Sequence, residues 1–113
     1  MRYCIGVDLG GTSVKIGFVN IDNAEILASG SIPTNAPREA KAIATDIVKY
    51  TKRLADESGY AMEGALWMGV ATAGIVKNGT VLAATNLGWN NVPLAMLLSR
   101  MTGLQVYLAN DAN

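Results

Sequence analysis

Two strand-forming runs, Tyr3–Val7 and Ser13–Val19, are separated only by Asp8-Leu9-Gly10-Gly11-Thr12. So short a connection leaves no room for the crossover helix that parallel neighbours require, and the two strands must pair antiparallel across a tight turn. Asn20-Ile21-Asp22-Asn23 supplies turn chemistry before a third strand from Ile26 to Ile32, which extends the pair into a meander. Pro33 to Pro37 breaks the pattern, and the period then changes. Ile43, Ile47, Tyr50, Thr51 and Leu54 recur at helical spacing, with Lys41, Lys49, Lys52 and Arg53 largely elsewhere on the surface. This predicts an amphipathic helix with Pro37 and Glu39 in its first turn, Gly59 at its stop and its lysines on a solvated face.

Ala65 to Thr72 is a nearly unbroken apolar run, as expected of a central strand covered on both faces. Lys77-Asn78-Gly79-Thr80 predicts a hairpin turn between Ile75-Val76 and Val81-Leu82, because Asn-Gly tolerates the positive φ angles of such turns. Pro93 opens a second helix whose Leu94, Leu97, Leu98 and Met101 share a face and which Gly103 stops. A last strand, Gln105 to Ala109, leads into Asn110-Asp111-Ala112-Asn113. If the first strand points up, the meander makes the third point up as well. Right-handed crossovers through the two helices then make the fourth and fifth strands parallel to the first. The expected fold is α/β: a five-stranded mixed sheet, a three-strand antiparallel meander followed by two parallel strands, with helices on its faces. Asp8, the Thr72-Ala73-Gly74 corner and Asn110-Asp111 then fall just beyond the carboxyl ends of strands, where open α/β sheets bind ligands.

Composition narrows what that edge serves. Nine basic residues balance nine acidic ones, which gives no electrostatic footprint for nucleic acid or an anionic membrane and favours a small-molecule partner. The chain has no histidine, so His-based triads and common zinc sites are excluded. Its single cysteine, Cys4, lies in an apolar run and reads as a small buried hydrophobe in a reducing compartment. Asp8 interrupts any signal-peptide core, and the long uncharged stretch Gly79 to Ser99 carries three Asn, a Pro and two Gly. The expectation is a cytoplasmic protein with no membrane partner.

Asp8 to Lys15 has the components of a phosphate cradle. Gly10 and Gly11 let backbone N–H groups approach phosphate oxygens with no Cβ in the way, Thr12 and Ser13 offer hydroxyls, and Lys15 offers a cation. Asp8 suits a magnesium ion that arrives on a nucleotide and keeps most of its waters. Asp111, from a different strand, suits a general base toward a hydroxyl that attacks a γ-phosphate. Each motif also has a plain reading: Asp-x-Gly-Gly-Thr as an ordinary hairpin turn, and Asn110-Asp111 as strand-closing turn residues. Placement on one edge favours the site. Trp67 is expected in the core and Trp89 in loop packing, and the five methionines need no role beyond filling gaps.

Three blocks carry a family resemblance: Ile5-Gly6-Val7-Asp8-Leu9-Gly10-Gly11-Thr12, then Thr85-Asn86-Leu87-Gly88-Trp89 with Val92-Pro93-Leu94, and Ala109-Asn110-Asp111-Ala112-Asn113. The chain resembles the N-terminal domain of the ROK family (repressors, open reading frames, kinases), sugar kinases of the actin-like and hexokinase-like superfamily with a ribonuclease H-like domain. The resemblance implies ATP-dependent phosphorylation of a hexose, glucose by default. It implies that Asp8 lies near Mg²⁺, that Gly10, Gly11, Thr12, Ser13 and Lys15 meet the nucleotide phosphates, and that Gly11, Gly74, Thr85 and Asn110 touch the sugar. Asp111 is then both sugar ligand and catalytic base. Thr72-Ala73-Gly74 replaces a frequent Ala-Pro-Gly, and Thr85 a frequent Pro, so the two departures fall on the sugar side.

The family's second half supplies a Glu and a His to the sugar, a Cys-rich zinc site and the domain that holds adenine. Residues 1–113 are therefore expected to be an N-terminal domain truncated after the catalytic Asp, without the C-terminal nucleotide and zinc domain and without turnover of their own. The full-length parent is expected to be a homo-oligomer. Two alternatives remain: a sugar-responsive ROK transcriptional repressor, whose DNA-binding helix-turn-helix has no room before Tyr3, and a non-catalytic sugar-binding domain, which would not need Asp111.

Overall fold

The computed structural model describes residues 1–111. Three antiparallel strands open the chain: β1 (Tyr3–Leu9), β2 (Ser13–Asn20) and β3 (Ile26–Pro33). Helix α1 (Ala40–Ser58) leads through a 3-10 turn at Met62–Gly64 into β4 (Met68–Thr72). A small antiparallel sheet follows, made of β5 (Ile75–Lys77), β6 (Thr80–Ala84) and β7 (Trp89–Val92), with a 3-10 turn at Thr85–Leu87 between the last two. Helix α2 (Leu94–Thr102) then feeds β8 (Val106–Asn110). The large sheet has the order β3-β2-β1-β4-β8, with β4 parallel to both β1 and β8, as the strand directions predicted.

Strand alternation sends Ile5, Val7 and Leu9 of β1, Val14, Ile16 and Phe18 of β2, and Met68 and Val70 of β4 to one face, where all are buried. Ile43, Ile47 and Leu54 of α1 and Leu94 and Leu98 of α2 close over them in one hydrophobic cluster. Each such large side chain contributes about 1.5–3 kcal/mol by leaving water.

The other face differs from expectation. The run at β4 suggested cover on both sides, yet Gly6, Asp8, Lys15, Gly17, Gly69 and Ala71 line an open cleft of about 790 Å³ there. Glycine and alanine alternate with buried residues along β4, so the apolar run hides a one-sided strand. The same alternation turns Trp67, expected in the core, half-exposed against Tyr107, with ring centroids 6.5 Å apart.

Helix α1 starts later than expected. Pro37, which follows a cis peptide bond, and Glu39 precede it, and its first N–H bonds run from Ala42 and Ile43 to the Glu39 carbonyl at 3.1 and 3.2 Å. Residues 34 to 38 are tied to other elements instead, as described below. Its stop is as expected: Gly59 has φ 84° and donates to the Ala55 carbonyl at 2.9 Å. The hairpin at Asn78-Gly79 has positive φ at both residues, 51° and 76°.

Candidate functional site

The parallel register builds the site edge. Leu9, Thr72 and Asn110 stand side by side across β1, β4 and β8. With neighbouring strands about 4.8 Å apart, the turn that follows Leu9 and the Asp111 that follows Asn110 are two spacings, roughly 10 Å, from each other. Asp111 is held at the edge by its own N–H, which donates to the Thr72 carbonyl at 2.7 Å. The Asn110 amide donates to the Gly74 carbonyl, which joins two of the expected sugar contacts. Gly74 in turn has φ 99° and backs directly onto Ala83 and Ala84, the residues that lead into Thr85. Thr85, Asn110 and Asp111 are all exposed at this rim.

The turn of Gly10 to Ser13 closes on itself through the Gly10 N–H, which donates to the Ser13 carbonyl at 3.0 Å. Gly11 lies so close to Asn86 that a Cβ on it would stand 3.1 Å from the Asn86 Cβ, which brings the first and second sequence blocks into contact. Among the described residues, the N–H groups of Gly11 and Thr12 have no acceptor. Two adjacent, partnerless amides in a turn of small residues can receive an anion.

Asp8 and Lys15 are placed differently from the turn. Asp8 was expected just past the end of its strand, but β1 runs on to Leu9 because Leu9 pairs with Val14 on one side and Thr72 on the other. Asp8 therefore points out of the sheet, opposite its cross-strand partner Lys15, into the cleft of the open face. Neither Gly11, Thr12, Asn110 nor Asp111 lines that cleft. Among the described residues no three of His, Cys, Asp and Glu come together. Cys4 is half-buried, and burial pushes its thiol up from the ordinary value.

Sequence reasoning missed the segment behind the turn. Thr34 is fully buried; its hydroxyl donates to the Gly10 carbonyl at 2.7 Å and its N–H to the Thr12 carbonyl at 2.9 Å. Arg38 reaches back to the Thr34 carbonyl through Nε and Nη2 at 3.2 and 2.8 Å, and Nη2 also meets Asp46 at 2.7 Å. The Trp89 indole donates to the Arg38 carbonyl at 2.8 Å. The only available signal was register: continuing the β2–β3 pairing past Ser13 and Pro33 sets Thr34 opposite Thr12.

The ROK family model matches residues 4–113. The chain belongs to the ROK family. It is 31% identical over 114 residues to the glucokinase of Halalkalibacterium halodurans, which covers 99% of this chain and 34% of the relative. It is 32% identical over 114 residues to the xylose repressor of Caldicellulosiruptor bescii, covering 96% of this chain and 28% of the relative. Among solved structures, a ROK family glucokinase from Streptomyces griseus in complex with glucose and AMPPNP matches 98% of this chain and 34% of its own, with a TM-score of 0.83 at 32% identity. The mixed five-stranded sheet is thus the sheet of the ROK and actin-like fold. The chain spans about a third of the length of the curated glucokinases it matches.

Proposed function

We infer that residues 1–113 form the sugar-side domain of an ATP-dependent hexose kinase of the ROK family, with glucose as the first substrate to test. The observation that carries this reading is the shared edge: amides at Gly11 and Thr12 that have no acceptor among the described residues, and Asp111 roughly two strand spacings away. That spacing suits a nucleotide phosphate chain at one end and a sugar hydroxyl at the other. The similarity to glucokinases, including one that binds glucose and AMPPNP, supports it.

On this reading the turn binds the nucleotide phosphates through the Gly11 and Thr12 amides, with Gly10 and Gly11 permitting close approach and the Thr12 and Ser13 hydroxyls adding donors. Lys15 and Asp8 face the open side; Lys15 contributes positive charge, and the Asp8 carboxylate fits an ion already carrying phosphate oxygens and water. A bound Mg²⁺ would neutralise the phosphate charge. Asn110, Thr85, Gly74 and Gly11 line the sugar side, the Asn110 amide held by the Gly74 carbonyl. Asp111 accepts the proton of the sugar hydroxyl while that oxygen bonds to the γ-phosphorus and the bond from phosphorus to the β–γ bridging oxygen breaks. The products are a sugar phosphate and ADP.

We read the remaining two thirds of the relatives' length as the second wall, with the zinc site and the adenine pocket, and the 113-residue chain alone as inactive; glucose-dependent ADP release by it would overturn that. In a full-length chain carrying this domain, Asp111→Asn is expected to lower turnover by about 10²–10⁴-fold while glucose affinity stays within about threefold. Near-normal turnover removes Asp111 from its role. The similarity to a xylose repressor favours a second reading, a sugar sensor that binds and does not phosphorylate. Calorimetric sugar binding with no ADP release in the full-length chain would select it. No helix among the described residues is long and apolar enough to cross a membrane, and we read the site of action as the cytoplasm.

A further inference from the structure

We propose that Thr34 is a positioning residue for the phosphate turn, which aims the Gly11 N–H by holding the Gly10 and Thr12 carbonyls from behind. The inference rests on the phosphate reading above and adds the device that makes the turn ready for its ligand. Thr34 lies outside every sequence block that carries the family resemblance, and it touches neither Asp111 nor Asn110 directly.

The geometry follows from the planar peptide. In a trans peptide the C=O and the next residue's N–H point in opposite directions and turn together. The Gly10–Gly11 peptide is trans; among the described residues the cis bond is at Ala36–Pro37. Its carbonyl is drawn to the Thr34 hydroxyl at 2.7 Å, so the Gly11 N–H is driven to the opposite side, away from the protein. That N–H is one of the two without an acceptor among the described residues. The Thr34 N–H holds the Thr12 carbonyl at 2.9 Å, which fixes the other end of the same two-residue stretch.

Without such a tether the stretch would wander. Gly10 and Gly11 are the residues with the widest backbone freedom, and a turn built of them loses most entropy when it orders around a ligand. A tether already in place removes that loss from the binding step. Thr34 is itself fixed: it is fully buried, its carbonyl takes two Arg38 donors, Arg38 is braced by Asp46, and the Arg38 carbonyl takes the Trp89 indole. Trp89 belongs to the same block as Asn86, whose Cβ stands close behind Gly11. The turn is thus gripped on two sides by segments distant in sequence.

Thr34→Val keeps the shape and the backbone N–H and deletes the hydroxyl; Thr34→Ser keeps the hydroxyl. The test uses the ¹⁵N-labelled full-length chain carrying this domain, titrated with magnesium and AMPPNP, following the Gly11 and Thr12 amide signals. Residual dipolar couplings give the Gly11 N–H direction without ligand. Expected are ligand-dependent shifts at both amides in the parent and in Thr34→Ser, and about five- to tenfold weaker binding with an altered Gly11 coupling in Thr34→Val. If the parent shifts while Thr34→Val binds equally and keeps the parent's coupling, the role of Thr34 falls and the phosphate reading stands. If the parent shows no shift at either amide, the phosphate reading falls and takes the purpose assigned to Thr34 with it. A Thr34→Val chain whose amide spectrum collapses assigns Thr34 to the core, and a Thr34→Ser chain that binds as weakly as Thr34→Val overturns the hydroxyl's part.

Discussion

Gly74 shows how a candidate site residue can be fixed by packing before any ligand is considered. Its φ of 99° belongs to the region that side chains with a Cβ rarely adopt, and a Cβ there would press into the Ala83 carbonyl and stand 2.9 Å from the Ala84 Cβ. Gly74→Ala is therefore expected to cost about 2–4 kcal/mol, a large share of the roughly 5–15 kcal/mol that holds a domain of this size. The check is a urea titration, in which the midpoint falls at unchanged slope; a midpoint equal to the parent's would refute the clash. Cys4 gives the opposite kind of residue-scale statement. Burial raises its thiol, so less thiolate is present near neutrality. Alkylation by iodoacetamide at about pH 8 is expected to run slower than for a cysteine in a short peptide and to accelerate as pH rises further. Equal rates at that pH would show the thiol to be freely ionisable.

Elements were legible where one rule governed them and obscure where two segments far apart in sequence had to meet. The meander, the Asn78-Gly79 hairpin and the Gly59 and Gly103 helix stops follow from local turn chemistry, and all are found as expected. The start of α1 was misplaced because Pro37 and Glu39 resemble helix openers, while the contacts that hold residues 34 to 38 out of the helix come from β7 and from the turn after β1. No local pattern encodes that Trp89 reaches Arg38. The candidate site was legible in the same uneven way: Asp8, Gly10 to Ser13 and Asn110-Asp111 stand out as motifs, whereas the placement of Thr34 behind the turn follows only from strand register. At this scale the expectation concerns the tie between β7 and residues 34 to 38. Trp89→Phe retains the buried ring and removes the indole donor to the Arg38 carbonyl, which is expected to cost about 1 kcal/mol with the fold intact. The amide signals of Thr34 and Arg38 should shift in that variant; an unchanged stability and spectrum would dissolve the link.

The whole molecule divides its labour between the two faces and the carboxyl edge of one sheet. The face under α1 and α2 holds the hydrophobic cluster, the opposite face is an open floor of small residues with Ile26 and Tyr107 exposed along it, and the edge carries the candidate site on exposed, mostly polar residues. Stability should therefore be one-sided. Two valines of β2 allow a matched comparison, because Val14 is buried in the cluster whereas Val19 lies on the open cleft. Val14→Ala removes two buried carbons and leaves a cavity in the hydrophobic cluster, at an expected cost of about 2 kcal/mol. Val19→Ala removes the same atoms from a surface already wet on one side and is expected to cost less than about 1 kcal/mol. Asp111→Asn, at the rim, is expected to move stability by no more than about 0.5 kcal/mol. Urea midpoints of the three variants in the 113-residue chain decide the matter. Equal losses for the two valines would mean that the open face is sealed in solution and that the sheet is stabilised from both sides.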